Sequence, residues 1–422
     1  MADQNCNHVT RKIEEMLKEA KPLFTRECCI YRVPRQIRKL NEEAYTPKVV
    51  SIGAFHHGDE NLLKMEGQKR IYCEKFIERS EKNLDRLVRC VQQLEPKVRR
   101  SYSDNINLNE EDHVMVIVVD CGFIIELLLR YHFNCWTDDD AICLSPWLRS
   151  DIRWDLLLLE NQLPFFILEK IYNLAFFSKL NNGDHDHPPF LSLTLKYFGH
   201  SPNFPSNDSI AHFTDLSRTL KLNSCTSLPI RKENSLPRLY SATELHEAGV
   251  CFKVIKTSKD LLDLRFEGHT LRIPEIKVDD TTEIWLRNVV AFEQCHYPDQ
   301  SYITDYIAVL DLLINTEKDV DLLVKSGIIV NWLGDSNAVA ELFNGLWKNV
   351  AQSTFNENYL RTCQQLNAFR GHPWNRLMAT LRRDYFNTPW KMVASIAGIA
   401  LLLLTIIQTI CSVIQVVQGS SN

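Results

Sequence analysis

The chain has 422 residues, with 48 Lys+Arg against 53 Asp+Glu and a net charge of −5. Hydrophobic residues make up 45% and charged ones 24%, while glycine and proline number only 14 and 16. That balance excludes a collagenous or broadly disordered chain, and it lacks the basic excess of a nucleic-acid-binding domain. No nucleic-acid partner is expected.

The N-terminus, MADQNCNHVTRKIEEMLKEAK, is polar and carries no apolar run, so it does not read as a signal peptide. The 13 cysteines are scattered and form no CxxC pair, which leaves out zinc-finger spacing. Free thiols and no leader point to the reducing cytosol for most of the chain.

In chain order, Val49 to Ile52 is a short strand candidate. Gly67 to Glu95 carries Ile71, Ile77, Leu84, Leu87, Val91 and Leu94 amid dense charge, an amphipathic helix expected to stop at Pro96. Two apolar runs follow, Val114 to His132 and Asp155 to Ala175. Asp120, Glu126, Arg130, Glu160 and Lys170 interrupt them, so they are read as helices of a soluble core rather than membrane spans. Residues 181–237 are rich in Pro, Asn and Ser, with helical pieces at Ser192 to Phe198 and Ala211 to Leu222. Strand-like runs then cluster at Gly249 to Ile255, Leu261 to Glu267 and His269 to Val278. Helices are predicted again at Ser301 to Lys325, Leu333 to Asn349 and Phe355 to Arg370. The expected fold is α+β, predominantly α-helical, with a small β-sheet in the middle region and one C-terminal transmembrane helix.

That last helix is the clearest feature. No Asp, Glu, Lys, Arg or His occurs from Met392 to Asn422, and Met392 to Val417 is a mainly apolar run without a charge. As a helix it reaches ~39 Å, against a hydrocarbon core of ~30 Å. Trp390 and Lys391 mark its edge, and Arg376, Arg382 and Arg383 lie upstream with Asp384 alone opposing them. By the positive-inside rule the bulk of the chain is expected in the cytosol, with a short tail across the membrane: a single-pass tail anchor. Ala394, Gly398, Leu401, Thr405, Gln408, Ser412 and Gln415 recur at 4-3 spacing and share one helix face. Small and amide-bearing residues on one stripe suit self-association or pairing with another membrane helix.

Catalytic signals are absent. There is no GxGxxG, GxxxxGK, GxSxG or HExxH, so no cofactor, small-molecule substrate or enzymatic activity is expected. His56 and His57 are neighbours in an extended run and point to opposite faces, a poor arrangement for one metal ion. His185 and His187 have better spacing within a loop. Asp120, Asp155 and Glu160 lie inside apolar runs; such carboxylates either serve as a general acid and base or are neutralised structurally. In EIWLRNVVAFEQC, Glu283 and Arg287 stand at i,i+4 and, with Asn288 and Glu293, form a candidate polar network; the plainer reading is a helix packed under the strand layer.

Six ordered motifs carry a resemblance. VVSIGAFHHG (49–58), DLLLLENQLPFFIL (155–168), AHFTDLSR (211–218), SATELHEAGVCF (241–252), the run at 273–295, and the anchor preceded by Asn387, Thr388, Pro389 and Trp390 are similar to the plant-specific family catalogued as domain of unknown function 247. The similarity extends from about Arg32 to Val417 and implies one cytosolic domain at 31–386. An N-terminal extension (1–30), a membrane anchor (387–417) and a short tail (418–422) complete the organisation. The family supplies no catalytic residues. Its members typically end in one membrane helix, and some grass members are implicated in pollen-side self-incompatibility. The resemblance therefore implies an interaction or recognition role at a membrane, with a divergent enzyme using buried carboxylates as the alternative.

Overall fold

A computed structural model describes residues 2–19, 25–80, 84–137, 140–176, 188–201, 209–223, 228–233, 236–256, 261–375, 377, 380 and 389–419. The helices in chain order are α1 (Ala2–Glu19), α2 (Arg35–Arg38), α3 (Leu63–Arg79), α4 (Leu84–Arg100), α5 (Glu110–Phe133), α6 (Ala141–Leu144), α7 (Pro146–Asp155), α8 (Phe165–Ala175), α9 (Phe190–Tyr197) and α10 (Phe213–Leu222). Then come α11 (Ala242–Glu247), α12 (Thr282–His296), α13 (Tyr302–Leu313), α14 (Glu317–Lys325), α15 (Ser336–Leu346), α16 (Glu357–Gly371) and α17 (Pro389–Gly419). The strands are β1 (Arg231–Glu233), β2 (Cys251–Ile255), β3 (Arg265–Glu267), β4 (Thr270–Pro274), β5 (Ile276–Val278), β6 (Ile329–Asn331) and β7 (Thr354–Asn356).

Two compact units emerge. One comprises Met1–Leu220 and Glu283–Pro298, the other Lys221–Thr282 and Asp299–Asn422. The chain leaves the first unit and re-enters it through α12, so no single cut in the sequence separates the two.

The first unit is built around α5. Asn109 caps its start by accepting the Asp112 N–H, and Asn134 closes it in the left-handed region at φ 51°. The helix is apolar around most of its circumference, and residues Asp120 to Arg130 are all buried, as a helix surrounded by others must be. α3 and α4 pack on it, and Gly122 permits the closest approach: a Cβ there would lie 2.6 Å from Cys73 Sγ. Rings of Phe165, Tyr172, Phe176 and Phe190 fill the space beside α8 and α9 with tilted contacts.

The second unit surrounds α13, which is buried from Tyr302 to Leu310. α14 and α15 pack together, and α14 is opened by a capping box between Thr316 and Asp319. Three small sheets line this unit: β1 with β7 antiparallel, β2-β4-β3 mixed, and β5 with β6 parallel.

The α+β, mainly helical class is thus present, with its strands in three sheets rather than one. Several element boundaries differ from the sequence expectation. Val49 to Ile52 is not a strand, because its N–H groups go to side chains described below. The stretch Gly67 to Glu95, expected as one helix, divides between α3, which ends at Arg79, and α4, which begins at Leu84 and runs through Pro96 to Arg100; the proline costs one backbone hydrogen bond, and the buried Val91, Glu95 and Val98 hold both sides in place. The run Asp155 to Ala175 is helical only from Phe165, since residues 156–164 form a turn. Ser301 to Lys325 is two helices, broken at Ile314.

Candidate functional site

The turn at 156–164 is the polar centre of the first unit. Asp155, at the end of α7, is buried and accepts three backbone N–H groups: Lys48 at 2.9 Å, Val49 at 2.8 Å and Val50 at 2.9 Å. Asn161 continues the pattern, accepting the Ile52 N–H at 2.7 Å and donating to the Val50 carbonyl at 2.9 Å. Asp120 on α5 then accepts the Gly53 N–H at 2.8 Å. Three side chains therefore replace the partner strand that residues 48–53 would otherwise need. Gly53 sits at φ 71°, and a Cβ there would lie 2.3 Å from Tyr102 Oη and 2.4 Å from the Gln162 carbonyl oxygen. A side chain at position 53 is excluded on both counts.

Glu160 occupies the outer edge of this turn. Its carboxylate takes Arg32 Nη1 and Arg38 Nη1, each at 3.0 Å, and the Val33 N–H at 2.8 Å, with His56 Nε2 at 3.6 Å. Arg32 also lies over the Phe55 ring, 4.2 Å from its centroid. Burial opposes ionisation here, but His56, the Val33 N–H and the two guanidinium groups outweigh it and hold Glu160 below the usual carboxylate range. Asp155 has no cation among these partners. Burial pushes it up to about 6 against the pull of its three N–H donors.

Stability should therefore depend on pH through Asp155, with a definite sign. A carboxylate whose folded pKa is raised binds its proton more tightly in the folded state, so its contribution to stability is largest below about 4 and falls as pH rises through about 6. The difference in unfolding free energy between the native chain and Asp155→Asn is expected to fall by about 3 kcal/mol across that window, because each roughly tenfold change in proton affinity is worth ~1.4 kcal/mol. Urea unfolding in detergent at pH 4, 5, 6 and 7 measures it, and parallel curves for the two proteins would contradict the assignment.

The four residues singled out on α12 have separate tasks. Arg287 Nε donates to Glu283 at 2.6 Å, and Asn41 donates to the same carboxylate at 3.0 Å. Asn288 accepts the Leu159 N–H at 2.9 Å and donates to the Ala44 carbonyl at 2.7 Å, joining α12 to the turn after α7 and to the N-terminal segment. Glu293 is fully buried and pairs with Arg218 of α10 at 2.8 Å. Arg218 in turn lies 4.1 Å from the Tyr297 ring centroid. The apolar partners of α12 are Cys28, Tyr31, Val33, Ile37 and Leu159, packed around Phe292.

Nothing in the sequence singles out Arg218, Arg38 or Lys69. Lys69 Nζ is buried at 2.6 Å from Asp120 Oδ1, 2.7 Å from Glu66 Oε1 and 2.8 Å from the Ser51 carbonyl oxygen. Burial opposes its charge, yet Asp120 and Glu66 hold its pKa above the ordinary value. Helical spacing sets Lys69 on the buried face of α3 with Met65, Tyr72, Cys73 and Phe76, but gives no sign of its partner on α5. Among the described residues no group of three or more His, Cys, Asp or Glu side chains is placed to hold a metal ion. His56 faces Glu160; His185 and His187 lie outside the described residues.

The apolar helix stands apart chemically. Within α17, Ile396–Ile414 has a mean hydropathy of 2.3 and buries nothing against the protein; by length and composition it is able to cross a membrane. The hydroxyls of Thr405, Thr409 and Ser412 donate to the carbonyls of Leu401, Thr405 and Gln408 at 2.7–2.9 Å, so they are satisfied inside their own helix. That is the condition for a hydroxyl in hydrocarbon. Ala394, Gly398, Leu401, Thr405, Gln408 and Ser412 are exposed, and nothing lies within 4 Å of the position of a Gly398 Cβ. The Gln415 side chain lies outside the described residues.

The described structure is a helical unit with buried ion pairs, a mixed α/β unit and one terminal apolar helix. The chain belongs to the family described as plant protein of unknown function (DUF247), whose model matches residues 30–404. Two relatives from Arabidopsis thaliana make the kinship concrete. UPF0481 protein At3g47200 is 30% identical over 416 residues, covering 92% of this chain and 86% of the relative. Putative UPF0481 protein At3g02645 is 24% identical over 482 residues, covering 90% and 89%. No solved structure matches the chain.

Proposed function

We propose that this protein is a membrane-attached interaction component: α17 crosses the bilayer, and the folded units bind other proteins at its cytosolic surface. The observation that carries the reading is the exposed, uncharged helix Ile396–Ile414, in a chain whose charged residues all precede it. A helix of that composition exposed to water would cost far more than one immersed in lipid. The cationic residues upstream, Arg376, Arg382, Arg383 and Lys391, favour the cytosolic side for the body.

Pairing in the bilayer would use the face from Ala394 to Gln415, small at Gly398 and amide-bearing at Gln408. Proximity labelling in native membranes tests both parts of the proposal. The native chain is expected to label a reproducible set of neighbours, or further copies of itself. Gly398→Ile with Gln408→Leu is expected to lose those held through the helix, with association falling roughly tenfold, since one close-packed contact and one amide contribute about 1–2 kcal/mol. Failure to recover any reproducible neighbour would overturn the interaction reading, and unchanged labelling in the double variant would overturn the role of this face.

The alternative, an enzyme using Asp155 and Glu160 as acid and base, has less support. Each carboxylate already engages the backbone or guanidinium partners that fix the 32–53 segment.

A further inference from the structure

A groove of about 700 Å³ lies on the first unit between α4 and α8, remote in chemistry from the Glu160 centre. Its α4 wall is a single helical stripe. Arg86, Arg89, Cys90 and Gln93 stand at i, i+3, i+4 and i+7, and so share one face. The α8 wall supplies Lys170 and, one turn on, Leu174. Leu84 forms an apolar end.

The charge in this groove is unbalanced. Among the described residues, Arg86, Arg89 and Lys170 line it together with one carboxylate, Asp85. Several cations elsewhere in the first unit sit against carboxylates: Arg32 and Arg38 against Glu160, Lys69 against Asp120, Arg79 and Arg130 against Glu126, and Arg218 against Glu293. Arg86, Arg89 and Lys170 enter no ion pair among the described residues, and Asp85 does not compensate them although it stands at i,i+4 from Arg89. Burial raises the pKa of the half-buried Cys90 thiol, and Lys170 and Arg86, which line the groove with it, pull against that rise. Two guanidinium groups offer paired N–H donors that fit phosphate oxygens, and an ammonium adds a point charge.

We propose that this groove binds a compact ligand carrying more than one phosphate monoester. Arg86 and Arg89 grip one phosphate, Lys170 neutralises a second, and Leu84 and Leu174 pack against the carbon skeleton. The same chemistry is offered by a soluble polyphosphorylated small molecule and by a phosphorylated inositol lipid headgroup, and the test separates the two.

The full chain is purified in detergent and titrated by calorimetry with inositol hexakisphosphate, and separately reconstituted against nanodiscs with and without phosphatidylinositol 4,5-bisphosphate. Saturable binding is expected in at least one arm, with the arm that binds naming the source. Arg86→Gln with Arg89→Gln is expected to weaken it at least tenfold, and Lys170→Gln by a smaller factor. All three residues are exposed, so the variants should retain the native thermal midpoint. As a second readout, the bound ligand should slow alkylation of Cys90, followed by peptide mass spectrometry. The proposal is overturned if neither arm saturates, or if binding and Cys90 protection are unchanged in the double variant.

Discussion

Chains lacking residues 389–419 are expected to move from the membrane pellet to the soluble fraction after carbonate extraction, whereas the intact chain stays in the pellet. The expected shift is close to complete. A span like Ile396–Ile414 contributes many residues at roughly −0.3 to −0.6 kcal/mol each for Leu, Ile, Phe and Val, and nothing charged offsets them. Its polar groups are weak opponents, because Thr405, Thr409 and Ser412 already donate within the helix. The truncated chain should keep its folded units, since none of the described residues of Ile396–Ile414 is buried against them. Circular dichroism of the soluble product checks this. A truncated chain that remained fully in the pellet would show that attachment resides elsewhere.

The second large effect concerns Lys69. Replacing it with methionine keeps the volume but strips the buried Asp120 carboxyl, whose pKa burial already raises, of the cation that holds that rise down. Breaking one side of such a pair costs about 3–5 kcal/mol. For a unit of this size that corresponds to a fall in Tm of roughly 10 °C. The same lysine also donates to the Ser51 carbonyl, and Asp120 accepts the Gly53 N–H, so the 48–53 segment should loosen before the helices do. Hydrogen exchange at Ile52 and Gly53 reports that order. Adding Asp120→Asn to the lysine variant is expected to restore much of the lost stability, because the amide oxygen still accepts from Gly53 while the unpaired buried carboxyl is gone. A single variant within about 1 kcal/mol of the native chain would contradict the account of this pair.

Lys69 also illustrates what a sequence conceals. α3 is legible as an amphipathic helix, and helical spacing sets Lys69 on its buried face with Met65, Tyr72, Cys73 and Phe76, but nothing beside it names the carboxylate that lets this lysine be buried. Its burial depends on Asp120, far along the chain on another helix. Arg218 and Glu293 are likewise 75 positions apart, and no spacing rule joins them. The β1–β7 pair, Arg231 to Glu233 against Thr354 to Asn356, is too short and too distant in sequence to leave a pattern. Val49 to Ile52 misleads in the opposite sense. Its β-branched residues have the composition of a strand, but Asp155 and Asn161 stand where a neighbouring strand would.

Other features are visible because their causes are local. Composition alone marks α17, and 3.6-residue periodicity marks α3, α4 and α16. The run at Gly249 to Val278 holds β2, β3, β4 and β5 where strand-like composition places them. Glu283 and Arg287 meet because i,i+4 neighbours must lie close on any helix. Asn288 stands out as a polar residue in an apolar stretch, but its partners Leu159 and Ala44 are set by tertiary packing.

The proposed place of α17 in a bilayer is tested most directly at Cys411. The thiol sits within Ile396–Ile414 and is exposed on the protein itself. In sealed native membranes a polar maleimide reagent is expected to leave Cys411 unlabelled from either side, and to label it fully once detergent dissolves the bilayer. Rapid labelling of Cys411 in intact membranes would contradict a membrane-spanning helix.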